Sequence, residues 1–320
     1  MTRERSTLET IAAVDPTIRD EWHVVATIAE LPLNRTKTTR LLGVPIAVAR
    51  WGEDEIGVWP NDGQFRSGQA IDSAMAGKSL PIVRRFGCVW TTLGAPDRDL
   101  FAIPEVDEPD RLNINACTVG IHTSAPRAIE NFCDLAHFPF VHGGYLGTEA
   151  QPQVAAYDVT SSADGRELMA SRCRFFQPAT PSTSSDGFVA EYVYRVPHPY
   201  CVLLYKAKES RPDRRDVVAM FCQPLDEESL NASMFGSLLQ DTSIYASDIV
   251  AFRSFQLLLI AQDKGILESQ RPRRLPLDTA GEIPVRADAT SVAYRRWLRA
   301  RGVRYGVVPL EARATRAAQG

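Results

Sequence analysis

Two of the five histidines in this sequence, His137 and His142, stand five residues apart in the segment Ile129-Glu-Asn-Phe-Cys-Asp-Leu-Ala-His-Phe-Pro-Phe-Val-His142. Neutral imidazoles are ligands for divalent transition metals. On an unbroken α-helix a five-residue step turns the two rings about 140° apart, too far to share one ion. Pro139 is expected to resolve this by ending the helix after His137, so that the chain folds back and both imidazoles face one point. A His pair plus one carboxylate, with coordination positions left open, is the ligand set of non-haem Fe(II) oxygenases. Two aromatic-flanked histidines near a helix end are also common as hydrogen-bonded packing residues, so a third ligand carries the distinction. The candidate is Asp263, in line with Phe252, Gln256 and Leu259 at helical spacing and therefore on an apolar, inward face. A carboxylate there is costly unless it is paired or bound to a metal. Asp248 and Glu268 fall elsewhere on the same helix and read as surface charges. His122 on a predicted strand and His198 between two prolines read as ordinary polar or packing residues.

The elements that must position these side chains follow from the hydrophobic pattern. Residues 1–20 are polar and read as a flexible N-terminus. From Trp22 the stretches WHVVATI, LLGVPIAVARW, EIGVW and FGCVWTTLG are rich in Val, Ile and Trp and bounded by Gly, Pro or Asp, which predicts strands of a small β domain. Residues 95–112, with three prolines and a cluster of acids, read as a linker, so this domain with its linker spans 21–112. A second domain is expected over 113–305, followed by a tail over 306–320. It starts with a strand at INACTVGIHT and a helix over Ala125–His137 that is capped by Ser124 and admits Pro126 in its first turn. Strands follow over 153–176, 188–206 and 215–224, with a loop over Ala179–Gly187. A long helix from about Thr242 to Glu268 and a last one near Ala287–Arg301 complete the pattern. The fold class is α+β, with antiparallel sheet covered by long helices.

The element Asp134…His137…His142, preceded by Glu130-Asn-Phe132 and followed far downstream by Gln262-Asp-Lys-Gly-Ile-Leu-Glu-Ser-Gln270, resembles the catalytic domain of the Rieske non-haem iron oxygenases. The likeness runs over about residues 20–305. It implies a Rieske-like N-terminal β domain and a helix-grip catalytic domain, with His137, His142 and Asp263 as ligands of one Fe(II). It also implies that Asp134 bridges towards the Rieske centre that delivers electrons, a place from which it can orient a ligand imidazole. Asn131, one turn earlier, is a candidate hydrogen-bonding residue near the iron, or a packing amide. The family's cluster needs two Cys and two His, as C-x-H and C-x2-H. Here no histidine follows any of the six cysteines by two or three residues. An intrinsic [2Fe–2S] cluster is therefore not expected. In this the chain is most similar to the methylxanthine N7-demethylase type of subunit, whose Rieske centre is carried by its reductase; Tyr192–Tyr200, Glu282–Asp288 and Tyr294–Leu298 share that likeness.

The resemblance thus implies a terminal oxygenase that uses Fe(II) and O₂ on a small aromatic or N-methyl heteroaromatic substrate. Oxidative N-demethylation leads; aromatic ring hydroxylation and O-demethylation at the same iron are alternatives. Electrons would come indirectly from NAD(P)H through a Rieske-bearing reductase or ferredoxin. A homo-oligomer (trimer) or hetero-oligomer is implied, and a non-catalytic structural subunit remains a reading from another class. Composition agrees with a globular protein of two domains: 320 residues, 44% hydrophobic, net charge −3. That balance argues against a nucleic-acid partner. The N-terminus lacks a signal-peptide core, no apolar run approaches a membrane span, and no CxxC pair occurs, so a reduced cytoplasmic protein is expected. From Arg271 onward eleven arginines face four acids. That run reads as a solvated helix and tail or as a docking face for an acidic electron donor.

Overall fold

The structure, a computed structural model, describes residues 6–71, 79–178, 187–208, 211–241, 247–278 and 282–309. Two short helices, α1 (Thr7–Ala13) and α2 (Pro16–Arg19), precede six short strands. These are β1 (His23–Thr27), β2 (Arg35–Leu41), β3 (Val44–Arg50), β4 (Ile56–Pro60), β5 (Ile82–Arg85) and β6 (Cys88–Thr91), in two antiparallel sheets ordered β1-β6-β5 and β2-β3-β4. Where the hydrophobic pattern predicts strands running through LLGVPIAVARW and from Phe86 in FGCVWTTLG, the structure inserts two-residue turns. Leu42-Gly43 and Phe86-Gly87 all have positive φ, the type I′ geometry that suits hairpin twist. Leu42 and Phe86 accept this unfavourable backbone because both side chains are buried, so packing outweighs local preference. At Gly87 a Cβ would lie 2.1 Å from Asn115 Oδ1, whose amide donates to Phe86 O at 3.1 Å; only glycine fits.

The larger sheet opens with β7 (Arg111–Ile121). After α3 (Ala125–Cys133) and α4 (Phe138–Val141), the strands β8 (Asp158–Ser161), β9 (Leu168–Gln177), β10 (Phe188–His198), β11 (Cys201–Lys208), β12 (Arg211–Pro224) and β13 (Leu230–Leu239) run as an antiparallel meander. β7 joins beside β13, giving the order β7-β13-β12-β11-β10-β9-β8. The single strand expected over 188–206 is two, folded against each other at Pro199-Tyr200 with His198 opposite Cys201. β13 has no counterpart among the expected strands: LNASMFGSLL is buried along nearly its whole length, so it lacks the alternation that marks a half-exposed strand. Of the expected loop over Ala179–Gly187, residues 179–186 lie outside the described residues, as do 242–246 at the expected start of the long helix.

The chain closes with α5 (Ile249–Ser269), β14 (Leu275–Pro276), α6 (Ala289–Ala300) and β15 (Val307–Val308), the last pairing in parallel with β14. Asp248, predicted as a surface charge, is the N-cap of α5 and accepts from Ala251 N–H at 2.8 Å. Alternation along the strands gives the large sheet two apolar faces. On one, Tyr194, Val202, Met220 and Met234 pack with Ile129 of α3, Ile260 of α5 and Leu298 of α6. On the other, Val193, Leu203, Phe221 and Phe235 pack with Val24, Phe86 and Trp90 of the N-terminal strands. The expected α+β architecture is thus present, a small β region followed by a larger antiparallel sheet with long helices. Among the described residues no helix is long and apolar enough to cross a membrane.

Candidate metal centre

α3 starts as expected, with Ser124 Oγ accepting from Arg127 N–H at 3.4 Å and Pro126 in the first turn. It ends at Cys133, four residues before the expected end at His137. Asp134 stops it: its backbone is extended, and its carboxylate accepts from the N–H groups of Ala136 at 2.8 Å and His137 at 3.2 Å. A short side chain that binds its own downstream backbone competes with helix continuation. Pro139 therefore does not terminate the helix. It sits in the first turn of α4, where a missing N–H costs nothing. His137 and His142 flank α4 at its two ends, and their ring centroids are 5.0 Å apart.

α5 supplies the third group. Phe252, Gln256, Ile260 and Leu267 are its buried residues, and Asp263 falls on the same stripe three residues after Ile260 and four before Leu267. Asp263 Oδ1 is 3.1 Å from His142 Nε2 and 3.5 Å from His137 Nε2. One ligand-capable atom from each of the three residues lies within 4.8 Å of the others. The outer ring nitrogens fix the tautomers. His137 Nδ1 is 3.0 Å from Asp134 Oδ2, and His142 Nδ1 is 2.8 Å from Gln262 Oε1. Both partners are acceptors, so both Nδ1 atoms carry the proton, and in neutral imidazoles both Nε2 atoms present lone pairs. Three acceptors thus converge without a donor among them. His137 Nε2 and Asp263 Oδ1 are buried with no hydrogen-bond partner among the described residues. Such a cluster is unfavourable on its own and fits a cation; two nitrogens and one oxygen, with open positions, suit Fe(II).

Gln262 is the functional residue that sequence spacing did not single out. Consecutive helical residues point about 100° apart, so nothing in the pattern shows that Gln262 and Asp263 both reach the centre. Asn131 lies with Asp134 in a cleft of about 390 Å³ whose walls include Arg127, Glu130, Glu282 and Arg295. Among the described residues the Asn131 side chain hydrogen-bonds none of His137, His142 and Asp263. In the cleft wall, Arg295 binds Glu130 through two nitrogens, at 2.5 and 2.9 Å, and also pairs with Glu282, while Arg127 reaches Glu282 at 3.1 Å. Burial raises the Glu130 carboxyl above its ordinary value, with Arg295 pulling the other way. This pairing ties α3 to α6.

Three arginines of the C-terminal run are tied to carboxylates. Arg274 pairs with Glu227 at 2.8 Å, Arg295 with Glu130 and Glu282, and Arg301 with Glu21 at 2.5 Å. Arg313 and Arg316 lie outside the described residues. His122 is exposed, and its backbone N–H donates to Glu268 Oε1 at 2.9 Å. In the N-terminal strands Cys88 is fully buried; its Sγ accepts from Asn115 Nδ2 at 3.4 Å, and burial pushes the thiol up to about 12. Cys133 is likewise buried on the helix side of the sheet, its thiol raised by burial.

A family model described as the vanillate O-demethylase oxygenase C-terminal domain matches residues 121–303. The chain is 40% identical over 288 residues to the probable methylxanthine N7-demethylase NdmC of Pseudomonas sp. (strain TJI-51), covering 90% of this chain and 95% of that protein. It is 28% identical over 220 residues to the methylxanthine N1-demethylase NdmA of Pseudomonas putida, covering 67% of this chain and 58% of that protein. The solved structure of Pseudomonas putida CBB5 NdmA with caffeine superposes with a TM-score of 0.66 at 22% identity, over 88% of this chain and 90% of that chain. Apo dicamba monooxygenase gives 0.64 at 16% identity, over 89% and 97%. These two structures share the fold.

Proposed function

The chain belongs to the Rieske-type non-haem iron oxygenases, with their catalytic domain matched over residues 121–303, and on that footing we propose that it is the terminal oxygenase of an oxidative N-demethylase for a methylxanthine-like heteroaromatic. The observation that carries this reading is the convergence of three acceptor atoms with no donor among them, on His137, His142 and Asp263. Fe(II) held there supplies the activation of O₂ needed to oxidise an N-methyl group, with two electrons from outside. The chain's own residues do the rest. Asp134 and Gln262 fix both imidazoles in the tautomer that leaves Nε2 free. Asp134, part of the cleft wall and bonded to His137, couples the centre to a Rieske-bearing reductase or ferredoxin that draws on NAD(P)H; Asn131 lines the same approach. No C-x-H or C-x2-H pair is present in the sequence, so the cluster is supplied by that partner.

Overall, N–CH₃ and O₂ with two electrons and two protons give N–H, formaldehyde and water. Purified protein should hold about one iron per chain without iron–sulfur absorbance, and should release formaldehyde from methylxanthines when supplied with a Rieske-bearing reductase. Protein that stays iron-free after Fe(II) reconstitution would point instead to a structural subunit. The match to the vanillate O-demethylase domain favours O-demethylation as the second reading; methoxybenzoates turned over in place of methylxanthines would establish it. Asp134→Asn should keep iron yet lose turnover with the reductase at least a hundredfold, and normal turnover would remove its coupling role.

A further inference from the structure

The helix-facing side of the large sheet carries a second polar group besides the metal centre. Lys206 of β11 lies directly opposite Tyr192 of β10, and opposed residues of an antiparallel pair share a face. Tyr192 is part of the core that packs against α3, α5 and α6, so Lys206 points to the metal side of the sheet. Its ammonium is 3.3 Å from Gln177 Oε1 and sits over the rings of Phe188 and Tyr192, at 5.8 and 5.7 Å from their centroids. Gln177 is 97% buried and also donates from Nε2 to Tyr192 Oη at 2.9 Å. Among the described residues no carboxylate pairs with Lys206. Asp216, opposite it on β12, uses Oδ1 to accept from Leu239 N–H.

The donors in this group outnumber its acceptors. Gln177 uses both ends of its amide. The ammonium retains two N–H bonds, and the Tyr192 hydroxyl accepts but has no acceptor for its own proton among the described residues. A continuous row of rings joins the group to the ligand set: His137 to Phe138 at 4.9 Å, Phe138 to Phe175 at 5.2 Å, and Phe175 to Tyr192 at 4.8 Å between centroids. A half-buried cation whose N–H groups outnumber the acceptors among the described residues, at the end of an aromatic row that starts at the metal centre, fits the acceptor edge of a flat ring.

We propose that Lys206 and Tyr192, held in place by Gln177, are the specificity-determining residues that bind the acceptor edge of the substrate, a ring carbonyl flanked by a deprotonated nitrogen or an aromatic carboxylate. The proposal rests on the terminal-oxygenase reading above. It predicts that the substrate binds as an anion or strongly polarised acceptor, with the methyl group towards His137, His142 and Asp263.

Calorimetric titration of the iron-loaded protein without reductase tests it, using 7-methylxanthine, which has dissociable ring N–H groups, caffeine, which has none, and vanillate. Lys206→Met should weaken 7-methylxanthine at least tenfold more than caffeine with iron content unchanged, Lys206→Arg should restore most of the loss, and Tyr192→Phe should cost less than Lys206→Met. Wild-type affinities in Lys206→Met, or an equal loss for all ligands that Arg does not restore, would overturn the recognition role and leave N-demethylation standing. Binding of vanillate alone, still dependent on Lys206, would overturn N-demethylation and keep the recognition role. A wild-type protein that binds none of the three would overturn both.

Discussion

The two faces of the seven-stranded sheet use the same residue types to opposite ends. On the N-terminal side His23 and His198 are buried, with ring centroids 5.3 Å apart in an edge-on pair. His23 Nε2 lies 2.7 Å from Ile18 O and so donates, which leaves a lone pair on Nδ1. His198 Nδ1 accepts from Tyr200 N–H at 2.9 Å, which leaves an N–H on Nε2. Both remaining atoms are buried without a hydrogen-bond partner among the described residues. One is an acceptor and the other a donor, so each ring carries what its neighbour lacks. On the helix side the free atoms of His137, His142 and Asp263 are all acceptors. Burial alone does not mark a metal centre; what marks it is a set of buried lone pairs with no proton to share.

Replacing a ligand should separate the faces most sharply. His137→Ala, His142→Ala or Asp263→Ala should reduce iron from about one per chain to background by metal analysis, while His23→Ala should retain it. Iron retained in Asp263→Ala would break the distinction. Next in size is the apolar plug of the N-terminal face, where Trp90 packs on Phe221 with centroids 5.0 Å apart. Trp90→Ala should cost about 3–5 kcal/mol in chemical denaturation, with iron stoichiometry unchanged in the folded fraction. A smaller effect is expected at Gln262, which touches the centre only through His142: Gln262→Leu should weaken iron affinity about 10–100-fold, and unchanged affinity would remove its orienting role.

The smallest effect near neutrality is the pH response of the histidine pair. Burial depresses His23 from 6.5 to about 4, and His198 falls well below its usual value through burial, His23 and the nearby Arg301 and Arg98. Between about 6.5 and 4 the unfolded chain binds more protons, so stability contributed by neutral His23 is present above 6.5 and lost as pH falls towards 4. Denaturation midpoints at pH 7 and 5 should therefore drop less in His23→Asn than in wild type. An equal drop in both would assign the acid sensitivity elsewhere.

The ligand residues were legible because chemistry and spacing are written in order along the chain: a His pair around Pro139 and one acid on an apolar helical stripe. Their local setting was not. The helix boundary moved from His137 to Cys133 because the Asp134 side chain captures the next two N–H groups, a choice between near-equal local structures that composition does not weigh. Leu42 and Phe86 turned corners that their size argues against. β13 escaped notice because a strand covered on both faces has no period to read.

The family, the His/His/Asp set and the lack of paired Cys and His for a cluster could be read before folding, since each depends only on which residues occur and in what order. Folding set the rest: that Gln262 rather than another amide meets His142, that Arg274, Arg295 and Arg301 are tied to carboxylates, and that Lys206 looks towards the metal side of the sheet. Those outcomes depend on contacts between residues far apart in the chain, such as the 120 positions separating His142 from Gln262. They arise where packing brings together donors and acceptors that local order leaves unrelated.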